Sequence, residues 1–347
     1  MKKGIGKVKL SNLPNSTYVF FLVLILGSVL VPNFMTPGNI TTLLTQACIM
    51  MTLSMAMSMC LMMGCIDLSL GGIVSMSGVV MALCLSKGVH AFLAIPAGLV
   101  CGTLFGAFNG FVVTKMKVPP FIATFGASGI AQSIANILSD KRTISWVQSE
   151  KTGLVDLLGQ NVLTVIFGPK PSQILSISVL LLVTVILITC VLVLFKKTTL
   201  GSTIYALGEN EETARLSGIA TVRWKIGVYM LSGFLASMAG MIVMIRTNSL
   251  QPTVGDGLEF QAVVASVLGG TSMKGGKGSI PGAIMGALTL YTVRNAMSLW
   301  GIDTSVVMVV IGCILVIGMM LNQAVLTMTE HKRLKTLNAE RERRMTQ

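Results

Sequence analysis

KKTTLGSTIYALGENEETARLSGIATVRWK, residues 196–225, is a polar segment between two hydrophobic stretches near the middle of this 347-residue chain. Asn210 can serve as a helix N-cap, because its side-chain oxygen can accept a backbone N–H of the next turn. The two glutamates that follow it would lie in the first turn, where negative charge is favoured. Arg215 lies near the last turn, and Gly218 can end the helix. A helix of about two turns is not stable alone, so it must pack against either the chain's own membrane domain or a partner protein. We predict a docking surface for a partner protein.

The stretches on either side of this segment decide the fold class. The chain is 53% hydrophobic and 11% charged, whereas soluble globular chains have roughly 25% charged residues. Hydropathy predicts ten spans near the length that crosses a bilayer. They are residues 17–31, 41–63, 70–86, 91–113, 119–138, 173–195, 226–245, 259–271, 281–299 and 305–322. We therefore predict an all-α polytopic membrane protein with about ten transmembrane helices, in which Gly-rich segments interrupt the third and eighth spans.

The basic residues predict the orientation of these spans. Most of the 26 Lys and Arg residues fall on the side of the two termini, which by the positive-inside rule is cytoplasmic. The chain then divides into a cytoplasmic segment 1–16, a membrane domain 17–323 and a basic cytoplasmic tail 324–347. Residues 196–225 lie in the cytoplasm and residues 139–173 outside. The net charge of +13 is spread over membrane flanks beside anionic lipid, so we predict no nucleic-acid partner.

The Gly-rich segment 268–280 superficially resembles a phosphate-binding loop. When the pattern is aligned on Gly276-Lys277, Gly278 stands where Ser or Thr is required and Thr271 stands where the first Gly belongs. We therefore expect no ATP hydrolysis by this chain. Its glycines are expected to allow close helix packing and a tight cytoplasmic turn. They are Gly269, Gly270, Gly275, Gly276 and Gly278.

Other enzyme chemistry is not indicated by the sequence. None of the seven cysteines forms a C-x-x-C pair, and the two histidines are far apart in the chain. A set of nucleophile and base residues is also missing from the pattern. We expect no catalytic residue, no metal ligand and no cofactor bound by this chain.

The segment GCIDLSLGG, residues 64–72, breaks the hydrophobic run between the second and third spans. An ionisable residue at membrane depth costs at least a few kcal/mol and usually faces a cavity or a partner. Asp67, with Ser69 and Gly71, is therefore a candidate for the translocation path or a gate. The alternative is that Asp67 only caps the third helix. Both alternatives remain open at the level of sequence.

Several segments in order carry a resemblance to a known family. They are PNF at 32–34, GCIDLSLG at 64–71, YALGENE at 205–211, ARLSGI at 214–219, SLQP at 249–252, VLGGTS at 267–272 and GGKG at 275–278. Together they resemble the permease subunits of bacterial ABC importers for monosaccharides, the ribose-permease family, over roughly residues 17–323. Cys65 and Glu209 stand where this family usually has Gly.

The resemblance implies a multi-pass protein of the bacterial inner membrane. Its partners would be a second permease subunit, forming a homodimer or a heterodimer, ATPase subunits that bind the ATP, and an extracytoplasmic sugar-binding protein. The segment 208–219 would be the coupling helix that enters the ATPase. The candidate coupling residues are Gly208, Glu209, Asn210, Glu211, Glu212, Ala214, Arg215 and Gly218.

The main alternative is an ion-coupled secondary transporter of a small polar solute. Such transporters tend to carry several ionisable residues inside their spans. Here only Asp67 and Arg294 lie well inside predicted spans. The sequence therefore favours the ATP-driven importer, and it leaves the identity of the sugar open.

Overall fold

A computed structural model describes residues 15–146, 153–160, 178–303, 305–314, 316 and 320 of the chain. This described part is mostly helical. The helices are α1 (Asn15–Leu30), α2 (Pro37–Met62), α3 (Leu70–Ser86), α4 (Ala91–Thr114), α5 (Pro120–Leu138), α6 (Gly153–Gly159), α7 (Val179–Lys197), α8 (Leu200–Glu209), α9 (Glu211–Leu216), α10 (Thr221–Thr247), α11 (Leu258–Leu268), α12 (Ile280–Leu299) and α13 (Ser305–Ile314). Two strands, β1 (Ile144–Ser145) and β2 (Ser249–Leu250), pair antiparallel.

Each of the ten predicted spans overlaps a described helix, and parts of the spans 173–195 and 305–322 lie outside the described residues. Five helices, α2, α4, α5, α7 and α10, are long and apolar enough to cross a membrane, and α1, α3, α11 and α13 are shorter apolar helices. The prediction of a helical membrane protein is therefore confirmed. The all-α prediction needs one correction, because β1 and β2 form a small strand pair. Two residues per strand give no alternation of apolar and polar side chains that sequence reasoning could detect.

Helices α2 and α10 form the centre of the bundle, and both are mostly buried inside the chain. Helix α10 packs closely on α4 because glycines at four-residue intervals remove side chains from the contact. A Cβ atom on Gly106 of α4 would overlap the carbonyl oxygen of Tyr229 of α10. By contrast, α5 and α7 expose most of their apolar surface, as expected of helices that face lipid.

Helices α3 and α11 are too short to cross a bilayer alone. At 1.5 Å per residue they are about 25 Å and 16 Å long, against a hydrocarbon core of about 30 Å. Each follows a non-helical segment, and their first turns meet: a Cβ on Gly71 would overlap the carbonyl oxygen of Gly255 and the carboxylate of Glu259. The N–H of Gly255 also donates to Ser75 Oγ at 3.0 Å.

From this meeting point α3 and α11 run toward opposite ends of the bundle. The later part of α3, at Gly78, lies beside Gly240 near the end of α10. The end of α11 leads to Thr271, whose hydroxyl is 2.9 Å from that of Ser58 near the end of α2. Two broken helices that meet in the bundle interior are a recurring architecture of transport proteins.

Candidate functional site

Helix α9 is the short capped helix that the sequence predicted. Asn210 has an extended backbone (φ −161°), and its side chain accepts the Thr213 N–H at 2.9 Å. Gly218 has φ +86°, a conformation that glycine adopts without a Cβ penalty. The N–H of the next residue, Ile219, donates to the Ala214 carbonyl at 3.1 Å and closes the end of the helix. The helix spans six residues, slightly fewer than two turns.

One face of α9 is buried and the other is free. Ala214 is buried against the rest of the chain, whereas Leu216 is 77% exposed. Glu212 and Arg215 form an exposed ion pair of 2.6 Å. The hydrogen bond that Arg215 donates to Glu212 raises the pKa of the guanidinium above its ordinary value. A single exposed apolar side chain is common on protein surfaces, so this face of α9 is accessible to a partner without identifying one.

The base of α9 is fixed to the chain by a second ion pair. Lys225 Nζ of α10 lies 2.5 Å from Glu211 Oε2, and the Lys225 side chain is only 13% exposed. Displacement of α9 therefore acts directly on the start of α10. Glu211 has this structural contact in addition to the coupling role that the sequence predicts.

Helix α8, which the sequence analysis did not predict, ends where three backbones meet. We call this contact the glycine junction and define it by Met62, Gly64, Gly208, Gly275 and Gly276. The N–H of Gly276 donates to the Met62 carbonyl at 2.9 Å. A Cβ on Gly208 would overlap that same carbonyl, and a Cβ on Gly275 would lie 3.0 Å from the Cα of Gly64. The junction thus joins the end of α2, the end of α8 and the Gly-rich segment.

The Gly-rich segment forms a tight turn between α11 and α12. Its glycines at 270, 275, 276 and 278 have positive φ angles, and the Ser272 N–H donates to the Lys277 carbonyl at 3.0 Å. Gly269 lies against the backbone of Gly282, which brings α11 and α12 together. Tyr205 of α8 donates to the Gly278 carbonyl at 2.7 Å. The turn therefore connects the segment that carries α9 to α12.

Asp67 is fully buried and holds together three parts of the bundle. Its Oδ1 accepts the N–H of Ser69 at 3.1 Å and the hydroxyl of Ser69 at 2.5 Å. Its Oδ2 accepts the hydroxyl of Ser232 of α10 at 2.7 Å. Asn109 of α4 donates to the Ser69 hydroxyl at 2.6 Å. The carboxylate thus ties the entry of α3 to α10 and, through Ser69, to α4.

This geometry extends the capping interpretation of Asp67 and does not exclude it. Ser69 precedes α3 with a helical backbone (φ −83°, ψ −8°), and its own side chain forms no cap bond. Asp67 accepts the N–H of Ser69 and so fixes the loop before the helix. Gly71 lies at the meeting point of α3 and α11. The role of Asp67, Ser69 and Gly71 in translocation stays a prediction.

A polar cleft at the other end of α2 and α12 was missed by the sequence analysis. We call it the amide cleft; its volume is about 360 Å³, and its polar lining is Asn39, Thr42, Gln46, Arg294, Asn295 and Ser298. The amides of Asn39 and Asn295 donate to each other at 2.9 and 2.8 Å. The α2 residues recur at spacings of three and four, which places them on one helix face. That spacing, with the ionisable Arg294 inside a span, is the signal that could have revealed the cleft.

Within the part of the chain that the structure describes, no group of three or more His, Cys, Asp or Glu side chains is placed to hold a metal ion. Three places in the described part of the chain are candidates for function: α9 with the glycine junction, the Asp67 network and the amide cleft.

Comparison with known proteins identifies the family. Residues 39–319 match the family described as the permease component of branched-chain amino acid transport systems. The ribose import permease RbsC of Bacillus subtilis is 36% identical over 87% of this chain and 90% of its own length. The fructose import permease FruG of Bifidobacterium longum is 30% identical over 91% of each chain. The L-arabinose permease AraH of Escherichia coli K12 is 32% identical over 86% of each chain.

No solved structure matches the chain significantly. The family match spans most of the sequence, and the sugar permeases align over nearly their full length. Proteins of this family are transport components and not enzymes themselves. This chain is therefore an integral membrane protein that belongs to the permease components of ABC importers.

Proposed function

We propose that this chain is the transmembrane subunit of an ATP-driven, binding-protein-dependent importer of a monosaccharide in the bacterial plasma membrane. The observation that carries the proposal is α9, a short capped helix with an exposed outer face, which is tied to α10 by the Glu211–Lys225 ion pair and follows directly on the glycine junction. Such a helix suits docking to a partner that moves. The names of the similar permeases, for ribose, fructose and L-arabinose, support a monosaccharide as the substrate.

The proposed topology has about ten crossings with both termini in the cytoplasm. The distribution of Lys and Arg supports it. The third and eighth crossings are each made by a non-helical segment followed by the short helix α3 or α11. Helix α9 and the glycine junction then lie at the cytoplasmic end, and the amide cleft lies toward the outer end.

The proposed complex contains a second permease subunit, ATPase subunits and an extracytoplasmic sugar-binding protein. ATP is bound by the ATPase, and this chain supplies the membrane path and the docking helix. Closure of the ATPases would displace α9 and α8, and the glycine junction would pass this displacement to α2 and α12. The ATPase can shift the equilibrium between the two states of the permease only because it contacts these states differently.

The test is transport by the complex reconstituted in liposomes with the ATPase and binding protein encoded beside it. We expect uptake of labelled ribose, fructose or arabinose. This uptake should require ATP on the side of the membrane where the ATPase subunits lie. The control is a Walker-lysine variant of the ATPase subunit, which should abolish uptake. Uptake that continues without ATP and collapses with an ionophore would favour the ion-coupled transporter instead.

The topology is tested separately by thiol labelling in intact cells. A membrane-impermeant maleimide should label a Glu150→Cys variant and spare a Glu212→Cys variant. The native cysteines are the background, measured in the unmodified chain. Strong labelling of position 212 from outside would contradict the orientation while leaving the transport assay interpretable.

A further inference from the structure

The amide cleft lies at the end of the bundle opposite to the glycine junction. Helix α2 runs from Asn39, which lines the cleft, to Met62, which belongs to the junction. Helix α12 runs the other way, from the Gly-rich turn to Ser298 in the cleft. The cleft therefore sits at the far ends of the two helices on which the junction acts.

Arg294 is the charged group of the cleft, and its bonding is incomplete. One guanidinium N–H donates to Gln261 Oε1 at 3.3 Å, and the group lies 5.8 Å above the ring of Tyr291. The ion pairs formed by the described residues do not include Arg294. A guanidinium has five N–H donors, and among the described residues only the Gln261 and Tyr291 side chains engage them, so this lining residue retains donors for water or a ligand. A charge at this depth in a membrane protein usually marks a substrate or ion pathway.

The neighbouring side chains offer both donors and acceptors. Asn39 and Asn295 are oriented by their reciprocal bonds, and Asn39 also donates to the Phe34 carbonyl at 2.7 Å. Each amide oxygen keeps a second lone pair. Gln46 and Ser298 also line the cleft, and neither side chain bonds to the described part of the chain. An amide and a hydroxyl are therefore available to a polar ligand.

The composition of this lining selects the ligand class. Its described part contains no carboxylate, so an organic cation finds no counter-charge there. A single guanidinium among amides and hydroxyls matches the alternating donors and acceptors of a neutral polyhydroxylated molecule. The volume of about 360 Å³ lies in the range of small-molecule sites, which are roughly 300–1,000 Å³.

We propose that the amide cleft is a binding site for one neutral monosaccharide, with Arg294, Gln46, Asn295 and Ser298 as its hydrogen-bonding groups. This inference rests on the proposed function, since it places the transported sugar on the permease itself. It differs from that function because an importer could equally pass sugar through without a site here.

The test is protection of the cleft by sugar in the purified full-length chain. A Ser298→Cys variant is alkylated with a maleimide, and the labelling rate is read by peptide mass. Ribose, fructose and arabinose are added in separate reactions, with phosphate and choline as anion and cation probes. Cys190, exposed on α7 away from the cleft, is the internal control in the same molecule.

We expect at least one sugar to slow labelling at position 298 several-fold while labelling at Cys190 stays constant. Phosphate and choline should have no effect. In a second variant, Gln46→Leu, the sugar concentration needed for half protection should rise about tenfold, the effect of losing roughly 1.4 kcal/mol of hydrogen bonding. Lys87→Gln, which changes an exposed basic residue after α3, is the matched control. Its sugar concentration for half protection should equal that of the parent variant.

Unchanged labelling at saturating concentrations of all three sugars would overturn the proposal. Protection by phosphate would show an anion site instead. If the sugar concentration for half protection were unchanged in Gln46→Leu, the cleft side chains would not be the groups that bind the sugar. These outcomes are independent of ATP-driven uptake by the wild-type complex, which tests the importer itself. An importer that transports sugar without protection at position 298 would therefore disprove only this inference.

Discussion

The two ends of helices α2 and α12 differ in composition: one is close-packed backbone, and the other is lined by polar side chains. At the glycine junction, backbones touch: Gly208 lies against the Met62 carbonyl, and Gly276 donates to it. At the amide cleft, polar side chains surround about 360 Å³ of open space. One end leaves no room for a methyl group, and the other has room for a ligand.

This difference indicates how one chain can both transmit and receive motion. Close-packed protein transmits strain, because contacts at van der Waals distance cannot be compressed further. A polar cleft can change shape at low cost, because water replaces any hydrogen bond that is broken. Helix α2 is about 39 Å long and α12 about 30 Å, so together they connect the rigid end to the adjustable end.

The largest effect is expected from adding a methyl group to the rigid end. Gly208→Ala places a Cβ against the Met62 carbonyl and the Gly276 backbone. Overpacking of this kind costs about 1–3 kcal/mol, and we expect uptake to fall about tenfold or more with a lower melting temperature. The matched control is Gly227→Ala, because a Cβ there meets nothing within 4 Å. Equal uptake in the two variants would show that the junction is not tightly packed.

The next effect is expected from the buried network between the two ends. Asp67→Ala removes the acceptor of the Ser69 N–H, the Ser69 hydroxyl and the Ser232 hydroxyl. Each buried donor left unpaired costs roughly 1–3 kcal/mol. We expect uptake to fall several-fold while assembly with the ATPase is largely retained.

Ser232→Ala removes only one partner of Asp67 and is the matched control. We expect it to lose less uptake than Asp67→Ala does. Uptake and co-purification of the ATPase are measured on the same preparations. Loss of assembly in Asp67→Ala would assign the residue a purely structural role. Wild-type uptake would remove both the structural and the transport role.

A third effect is expected at the docking face of α9. Arg215→Glu breaks an ion pair whose two side chains are both more than 60% exposed, and such pairs contribute little to folding. Gly218→Pro removes the residue with φ +86° and its N–H. We expect both variants to insert normally into the membrane, to co-purify with less ATPase and to lose a smaller part of their sugar uptake than Asp67→Ala does. If both keep full uptake and full association, α9 is an ordinary loop and the coupling role is wrong.

The smallest effect is expected beside the cleft, at the start of α13. The hydrogen bonds from Ser305 hold the pKa of Asp303 below its ordinary value. A carboxyl whose pKa is lowered on folding stabilises the protein at neutral pH, and this contribution is lost as the pH falls through the lowered pKa. The small melting-temperature difference between wild type and Asp303→Asn should therefore be present at about pH 7 and should shrink as the pH falls below the ordinary Asp pKa of about 3.9. A difference that grows on acidification would have the wrong sign.

The sequence predicted those parts of the molecule that short segments encode. Asn210 and Gly218 cap α9 because capping needs only a few adjacent residues. The glycine junction could not be predicted, because it joins residues near 62, 208 and 276, and a glycine contact carries no side-chain pattern. Helix α8 and the β1–β2 pair were missed for a similar reason: they are short and depend on distant packing.

The amide cleft is a different case, because its signal was present in the sequence. Asn39, Thr42 and Gln46 lie on one face of an otherwise apolar helix, and Arg294 is an ionisable residue inside a span. Only the packing of α2 against α12 shows that the two sets of residues meet.

The central claim is that motion of the ATPase enters at α9 and reaches the amide cleft through the glycine junction. The most direct measurement is the maleimide labelling rate of Ser298→Cys in the assembled complex, without nucleotide and after trapping with ATP and vanadate. We predict that trapping changes this rate several-fold, and that the change disappears when Gly208→Ala is added to assembled complexes that still hydrolyse ATP. The same rate in both nucleotide states, or a change that persists undiminished in Gly208→Ala, would contradict the account.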